Sequence, residues 1–284
     1  MDNEPHRDPD HSDRVHNAAE SDAVNEASKL SARLVYHVVL REGEEELERP
    51  YTSLAWSGVA AGVLISSSIM AEAIFAARLP KTSWNSLVAD IGYTFGFLLV
   101  ILSRMQLFTE NTITTVLPLL TRRDRATASA VARLWALVLA TNLIGCVLAA
   151  AFFVFTAALP AEVAAAMADI SRHAVSAGAG DNFMRAIPAG VLIAALVWMT
   201  SSGDHENFLI IFVFTWLIAA GDFQHVIAGT VEMAYAVLSG DREFWSLIKS
   251  YLLPVLAGNI VGGTFVFTLT AWGQVSQEVK TGGC

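Results

Sequence analysis

Hydrophobic residues fill most of this chain in six long stretches, near 52–78, 86–121, 127–158, 182–202, 207–239 and 244–272. Each is long enough to cross a hydrocarbon core that takes about 20 apolar residues per helix. The second and fifth are too long for one straight crossing. Polar, turn-forming clusters interrupt both, at 104–112 (RMQLFTENT) and 220–225 (AGDFQH). The pattern predicts two pairs of half-helices, 86–106 with 111–121 and 207–219 with 223–239. Non-helical backbone at membrane depth is tolerated only where protein buries it or it lines a cavity. Paired interruptions in two halves of a chain therefore point to a binding site or pore.

A short echo supports two halves: 142–145 reads NLIG in the third stretch and 259–262 reads NIVG in the sixth. Three spans per half is an odd number, so the halves would insert with opposite topology. The predicted fold is an all-α membrane protein of six transmembrane helices, a 3+3 inverted repeat with two broken helices. Small residues beside each asparagine (Ala140, Gly145, Gly258, Gly262, Gly263) permit close helix approach; plain helix packing without shared ancestry is the alternative.

Ahead of the first span, residues 1–20 lack periodicity and read as disordered. Apolar positions at Ala23, Ala27, Leu30, Leu34 and Val38 then predict an amphipathic helix ending near Gly43, before an acidic run at 44–48. It either packs under the membrane domain or a neighbouring subunit, or gates a pore mouth. The predicted organisation is a cytoplasmic acidic segment (1–49), a transmembrane channel domain (50–272) and a cytoplasmic tail (273–284). Arg122, Arg123 and Arg125 form the densest basic cluster, with Arg41 and Arg49 near the first span; Arg78, Lys81, Arg172, Arg185, Arg242 and Lys249 are spread along the other side. By the excess of positive charge on cytoplasmic loops, both termini face the cytoplasm. No apolar core occurs in the first thirty residues, so no cleavable leader is expected.

Composition agrees: 54% of the 284 residues are hydrophobic and 16% charged, against about 25% charged in soluble domains. The net charge of −9 comes largely from the amino-terminal region. Two cysteines, Cys146 and Cys284, offer neither a disulfide framework nor a metal set. No phosphate loop, hydrolase triad or metal-ligand spacing appears, so no enzyme, cofactor or nucleic-acid partner is expected.

His225 is the foremost candidate for chemistry. It opens the second half-helix of the fifth stretch, near mid-membrane, where ionisable groups usually face a cavity. Imidazole can donate a hydrogen bond to a weak-acid anion when neutral and hand over a proton when charged. The competing role is to satisfy carbonyls freed by the break. Thr109 and Asn111 are helix-capping types for the first break, and Asp222 for the second; a carboxylate cap would offset the anion-attracting field of a half-helix amino terminus. Glu110 and Arg104 flank the first break as an expected ion pair. Leu107 and Phe108 lie in the loop, where an apolar side chain can close a pore by dewetting. Glu72 and Glu232 read as interface residues near span ends, and the tryptophans as packing or interfacial residues.

These residues resemble the formate/nitrite transporter family across about 50–272. The resemblance rests on Leu107 to Thr109 (LFT), 223–228 (FQHVIA), the two asparagine motifs, and 184–190 (MRAIPAG) followed by 196–199 (LVWM). The acidic extension ending at Pro50 resembles the YfdC-like branch. Membership implies an aquaporin-like fold, a homopentamer in the bacterial inner membrane with one pore per subunit, and passage of small monovalent anions such as formate or nitrite, often with protons. By position, His225 matches the central pore histidine, Thr109 its loop partner and Leu107 the cytoplasmic-side constriction. Tyr93, with Ile218 opposite, falls where the family has its periplasmic-side constriction. Asn111 and Phe223 join the expected pathway from their places in the two breaks. The family often carries Asn near Gly190, also on that pathway, and Lys near Ala174. Neither is present here, which weakens attraction of anions; His173 is the adjacent source of conditional charge. The expected function is a channel or proton-coupled transporter for a small weak-acid anion or its neutral acid. The alternatives are a pore for a neutral solute and a non-conducting membrane scaffold.

Overall fold

A computed structural model describes residues 31–201 and 207–281, with side chains through Gln277. Among them, five helices are long and apolar enough to cross a membrane: Tyr51–Arg78, Asn85–Leu102, Arg125–Phe155, Ala179–Thr200 and Phe244–Gln277. The elements are α1 (Ala32–Glu48), α2 (Tyr51–Arg78), α3 (Asn85–Ala89), α4 (Thr94–Leu102), α5 (Phe108–Thr114), α6 (Val116–Arg122), α7 (Arg125–Phe155), α8 (Ala161–Ala174), α9 (Ala179–Thr200), α10 (Asn207–Ala220) and α11 (Val226–Leu238). From Phe244 one helix continues to Thr281 through two π-helical stretches, Ile248–Leu252 and Val261–Thr268. Large apolar side chains such as Ile144, Leu148, Phe152, Phe155 and Phe265 are exposed, as expected of surfaces that meet lipid or another subunit rather than water.

Both predicted breaks are present and are built alike. The chain leaves helix α4 with Arg104 in the left-handed region (φ 53°) and leaves α10 with Asp222 there (φ 52°). In each case the next N–H folds back across the helix end: Met105 donates to the Val100 carbonyl at 3.0 Å, and Phe223 to that of Ile218 at 2.9 Å. This is the Schellman way of stopping a helix, in which one left-handed residue turns the chain. Each second half-helix starts four residues after the left-handed position, at Phe108 and at Val226.

One asparagine clasps each break. Asn142 on α7 accepts from the Phe108 N–H at 2.9 Å and donates to the Gln106 and Gly58 carbonyls, both at 2.8 Å. Asn259 accepts from the Val226 N–H at 2.8 Å and donates to the Gln224 and Ala186 carbonyls at 2.8 Å. Both side chains are fully buried. The four-residue echo in the sequence is therefore one hydrogen-bond device used twice.

The expected caps are corrected by this geometry. Thr109, Asn111 and Asp222 do not cap the half-helices. Leu107 and His225 occupy the cap positions, and the first N–H of each half-helix is taken by an asparagine from another helix. The first half-helix also ends earlier than expected, at Leu102, and a turn at 90–93 interrupts it ahead of α4. Helix α8, not anticipated, packs Val163, Met167, Ser171 and Ala174 inward.

Helix α1 lies against the membrane domain on the side that carries Arg122. The buried stripe is Val35, Tyr36, Val39 and Gly43, whereas Leu34 is half exposed; Ala23, Ala27 and Leu30 lie outside the described residues. Tyr36 Oη is 2.9 Å from Thr121 Oγ1, Arg122 pairs with Glu44 at 2.6 Å, and Gln106 Nε2 donates to Glu46 at 2.8 Å. The helix passes Gly43 instead of ending there, because a Cβ at 43 would stand 1.9 Å from the Thr114 carbonyl oxygen. Glycine is needed for the close crossing, not for a stop. Its far neighbour is the last helix, whose Val275 is buried in the same cluster.

Asn142→Ala or Asn259→Ala strands one buried N–H and two carbonyls, at about 1–3 kcal/mol for each unsatisfied group. Both variants should lower the melting temperature in detergent by similar amounts. Gly43→Ala should lift α1 while leaving the spans intact, seen as faster trypsin cleavage at Arg41 and Arg49 with an unchanged melting temperature of the spans.

Candidate functional site

Two cavities approach each other from opposite ends of α4 and α10. The first, about 420 Å³, is lined by Glu42, Glu46, Arg104, Leu107, Glu110 and Asn111, with Asn207 and Ile211 from α10. The second, about 480 Å³, is lined by Glu72, Asp90, Tyr93, Phe223, His225 and Glu232, with Ala219 and Ala220 from α10. At 1.5 Å per helical residue, the eight to twelve residues between the two linings span roughly 12–18 Å. The cavities share no lining residue.

His225, which lines the second cavity, is hydrogen-bonded to Thr109 of the other break. Its Nε2 is 2.8 Å from Thr109 Oγ1, and its Nδ1 accepts from the Ala228 N–H at 3.3 Å. A nitrogen that accepts from a backbone N–H carries no proton, so the neutral ring holds its hydrogen on Nε2. Nε2–H therefore donates to Thr109 Oγ1, which leaves the threonine hydroxyl hydrogen free to be donated elsewhere. The bond joins the two breaks directly, one partner from each. His225 is 1% exposed and Thr109 2%, so water scarcely reaches either.

Phe97 meets the imidazole edge-on with ring centroids 4.9 Å apart, and Tyr93 contacts Phe97 at 5.3 Å. Sequence reading selected Tyr93 and missed Phe97. The available signal was spacing: Phe97 lies one turn beyond Tyr93 on the same face of α4.

The remaining expected residues divide clearly. Leu107, 1% exposed, and Asn111 both line the first cavity. Phe223 lines the second cavity. Phe108 is turned away and packs edge-on against Trp135 at 5.6 Å; it lines neither cavity, and a gating role is not supported. Ile218 is fully buried outside both linings. Gly190 also lies away from them: a Cβ there would stand 2.3 Å from the Asn259 carbonyl oxygen. It allows α9 to approach the second clasp, as Gly62 does for the first, where a Cβ would stand 2.2 Å from the Asn142 carbonyl.

The charged groups are placed differently from expectation. Glu110 and Arg104 form no ion pair among the described residues, and a buried Glu110 carboxylate oxygen has no hydrogen-bond partner. Left-handed Arg104 points its backbone into the turn, while Glu110 faces the first cavity. Glu72 and Glu232 are not interface residues; both line the second cavity. Glu232 follows His225 by two helical turns, which places it on the same face. His173 is on α8, beside Asp222 at 3.3 Å, and Arg185 also pairs with Asp222. At the first mouth, burial raises the Glu42 carboxyl above its ordinary value, against the pull of a Ser201 hydrogen bond and the Arg104 charge. Both mouths are thus acidic, and the second has no lysine or arginine in its lining.

A sequence model described as formate/nitrite transporter matches residues 33–273. The chain is 37% identical over 249 residues to the "Inner membrane protein YfdC" of Escherichia coli strain K12, covering 88% of this chain and 80% of that protein. It is 24% identical over 243 residues to the "Formate channel FocA" of Haemophilus influenzae, covering 76% and 84%. Among solved structures, a pentameric formate channel with formate bound superposes with a TM-score of 0.65 at 19% identity, over 84% of this chain and 98% of that one.

The tautomer is directly measurable. With ¹⁵N-labelled histidine, solid-state NMR should report a bare Nδ1 and a protonated Nε2 for His225 at neutral pH. Thr109→Val should leave that tautomer in place, because Ala228 still holds Nδ1, while shifting the Nε2–H resonance as its acceptor is lost.

Proposed function

We propose, because this chain belongs to the formate/nitrite transporter family, that it is an inner-membrane channel or proton-coupled transporter carrying a small monovalent weak acid past the His225–Thr109 partition in neutral form. Six spans in two inverted, aquaporin-like halves would place α1 and both termini in the cytoplasm, in line with the basic cluster at Arg122, Arg123 and Arg125. The first cavity is then the cytoplasmic mouth and the second the periplasmic one. A pentamer with one conduit per subunit, the assembly named for a structural relative, would place the exposed apolar faces against neighbours and lipid.

The observation that carries the reading is the Nε2–Thr109 Oγ1 bond of 2.8 Å between two acidic cavities. A bare anion in a low-dielectric passage costs many kcal/mol, and its neutral acid far less. Acidic mouths raise the anion's cost further. A carboxyl-rich mouth supplies exchangeable protons, so an arriving anion becomes a neutral acid before it meets the apolar barrier of Leu107 and Phe97. Beside that barrier the threonine hydroxyl hydrogen, left free by the imidazole N–H that Oγ1 accepts, offers a donor to its oxygen atoms. On the far side the proton leaves, and anion and proton have crossed together.

Proteoliposomes loaded with a pH dye test this. Formate and nitrite uptake should acidify the lumen and accelerate as the outer buffer is made acidic. Loss of any rate above empty vesicles would refute the assignment, and pH-independent uptake would favour a pore for a neutral solute. His225→Ala should slow flux about tenfold, the value of one hydrogen bond in a buried site. Leu107→Ala, which trims the inner wall of the first cavity, should raise it.

A further inference from the structure

We propose that the side-chain amide of Gln224, held in place by Tyr251, binds the transported weak acid in the second cavity by donating hydrogen bonds to its oxygen. The inference rests on the weak-acid reading above. The two breaks carry glutamine at the same place: Gln106 and Gln224 each lie two residues past the left-handed turn and directly before the cap residue. In the first break the protein uses both ends of the amide. Gln106 Nε2 donates to Glu46 at 2.8 Å, and its Oε1 accepts from Asn111 at 3.3 Å. In the second break it uses one end. Gln224 Oε1 accepts from Tyr251 Oη at 2.8 Å, and no acceptor among the described residues takes the Nε2 hydrogens. Gln224 is 5% exposed and lines the second cavity. Its Nε2 is not among the shut-in polar atoms that lack a partner, so those hydrogens meet the cavity.

The amide cannot turn round without loss. Tyr251 is fully buried, and a buried phenol hydroxyl needs an acceptor. Gln224 Oε1 is the acceptor it has among the described residues, so a reversed amide would strand the phenol hydrogen. Main-chain bonds fix the residue as well: the Gln224 N–H donates to the Arg185 carbonyl at 3.1 Å, and its carbonyl accepts from Asn259 at 2.8 Å. Gly229 makes room for the phenol, since a Cβ there would stand 2.0 Å from Tyr251 Oη. A neutral donor suits this acidic mouth. The guanidinium groups of Arg172 and Arg185 are taken by Asp169, Asp241 and Asp222, whereas the amide hydrogens stay available to an incoming oxygen. Gln224 directly precedes His225, which lines the same cavity, so the amide holds the acid on its approach to the His225–Thr109 pair.

The test combines flux and contact in proteoliposomes. Gln224→Met keeps the side-chain length and removes both polar ends. It should raise the apparent KM for formate about tenfold, the value of one hydrogen bond, with little change in maximal rate, the sign of lost binding. Tyr251→Phe frees the amide to turn and should raise KM about threefold. The double variant should match Gln224→Met alone, because Tyr251 acts through Gln224. It removes both partners of one buried bond and is therefore the best tolerated in the fold, which gel filtration and melting curves check. Solid-state NMR of glutamine-labelled (¹⁵N side chain) protein, with ¹³C-formate equilibrated on both sides, should show dipolar coupling to one glutamine amide. The coupling should vanish in Gln224→Met and persist in Gln274→Ala, a change at an exposed residue of the last helix. An unchanged KM in Gln224→Met, single-variant effects that multiply in the double, or no coupling to Gln224 would overturn the proposal. Flux without this contact leaves the weak-acid reading standing, whereas contact without flux would refute transport and keep the binding site.

Discussion

A peptide group freed inside hydrocarbon has no water to bond, so a broken spanning helix survives only if another part of the protein takes over its loose N–H and carbonyls. Here a side-chain amide performs that task at both breaks. An asparagine presents one acceptor and two donor hydrogens on a flat head, which matches one stranded N–H and two nearby carbonyls. Asn142 and Asn259 use that whole capacity. Because each also bonds a carbonyl of a neighbouring span, the clasp sets where three segments cross. Glycines at 62 and 190 let the backbones come close enough for it. The cavities, the histidine and the threonine take their places from this arrangement.

The two breaks are alike in backbone and unlike in what they display. Position for position, Leu107 on the first corresponds to His225 on the second, both at the cap of a half-helix. One break therefore presents an apolar side chain at its cap and the other an imidazole. Thr109, one residue into the first half-helix, reaches across to the ring. A duplicated scaffold has been given an asymmetric centre by a few side chains. The acids show the same division of labour, with Glu110 facing one mouth and Glu232 the other.

Much of this was legible in the residues. The breaks at 104–112 and 220–225 stand out because polar, turn-forming types interrupt otherwise unbroken apolar runs, and the echoed asparagines stand out because buried amides are rare in such runs. His225 and Thr109 follow from the same contrast. What escaped was whatever depends on a partner distant in sequence. The cap residues were misassigned because the true acceptors come from α7 and the last helix, so local capping preference loses to a better-placed external amide. Glu72 and Glu232 looked peripheral by their position along a span, yet the turn at 90–93 and helix α8 fold over them and make an enclosed mouth. Helix α8 itself is too short and mixed to register as a span. Gly43 read as a stop because glycine often follows a helix, whereas here it makes room for a crossing.

The clasps also order events during synthesis. The N–H of Phe108 waits for an amide 34 residues downstream, and that of Val226 for one 33 residues downstream. Each discontinuous segment thus emerges from the ribosome before the group that completes it. Until the following span arrives, its loose peptide groups must rest against the insertion machinery or the bilayer surface. Each interrupted segment is therefore complete only once its successor lies beside it.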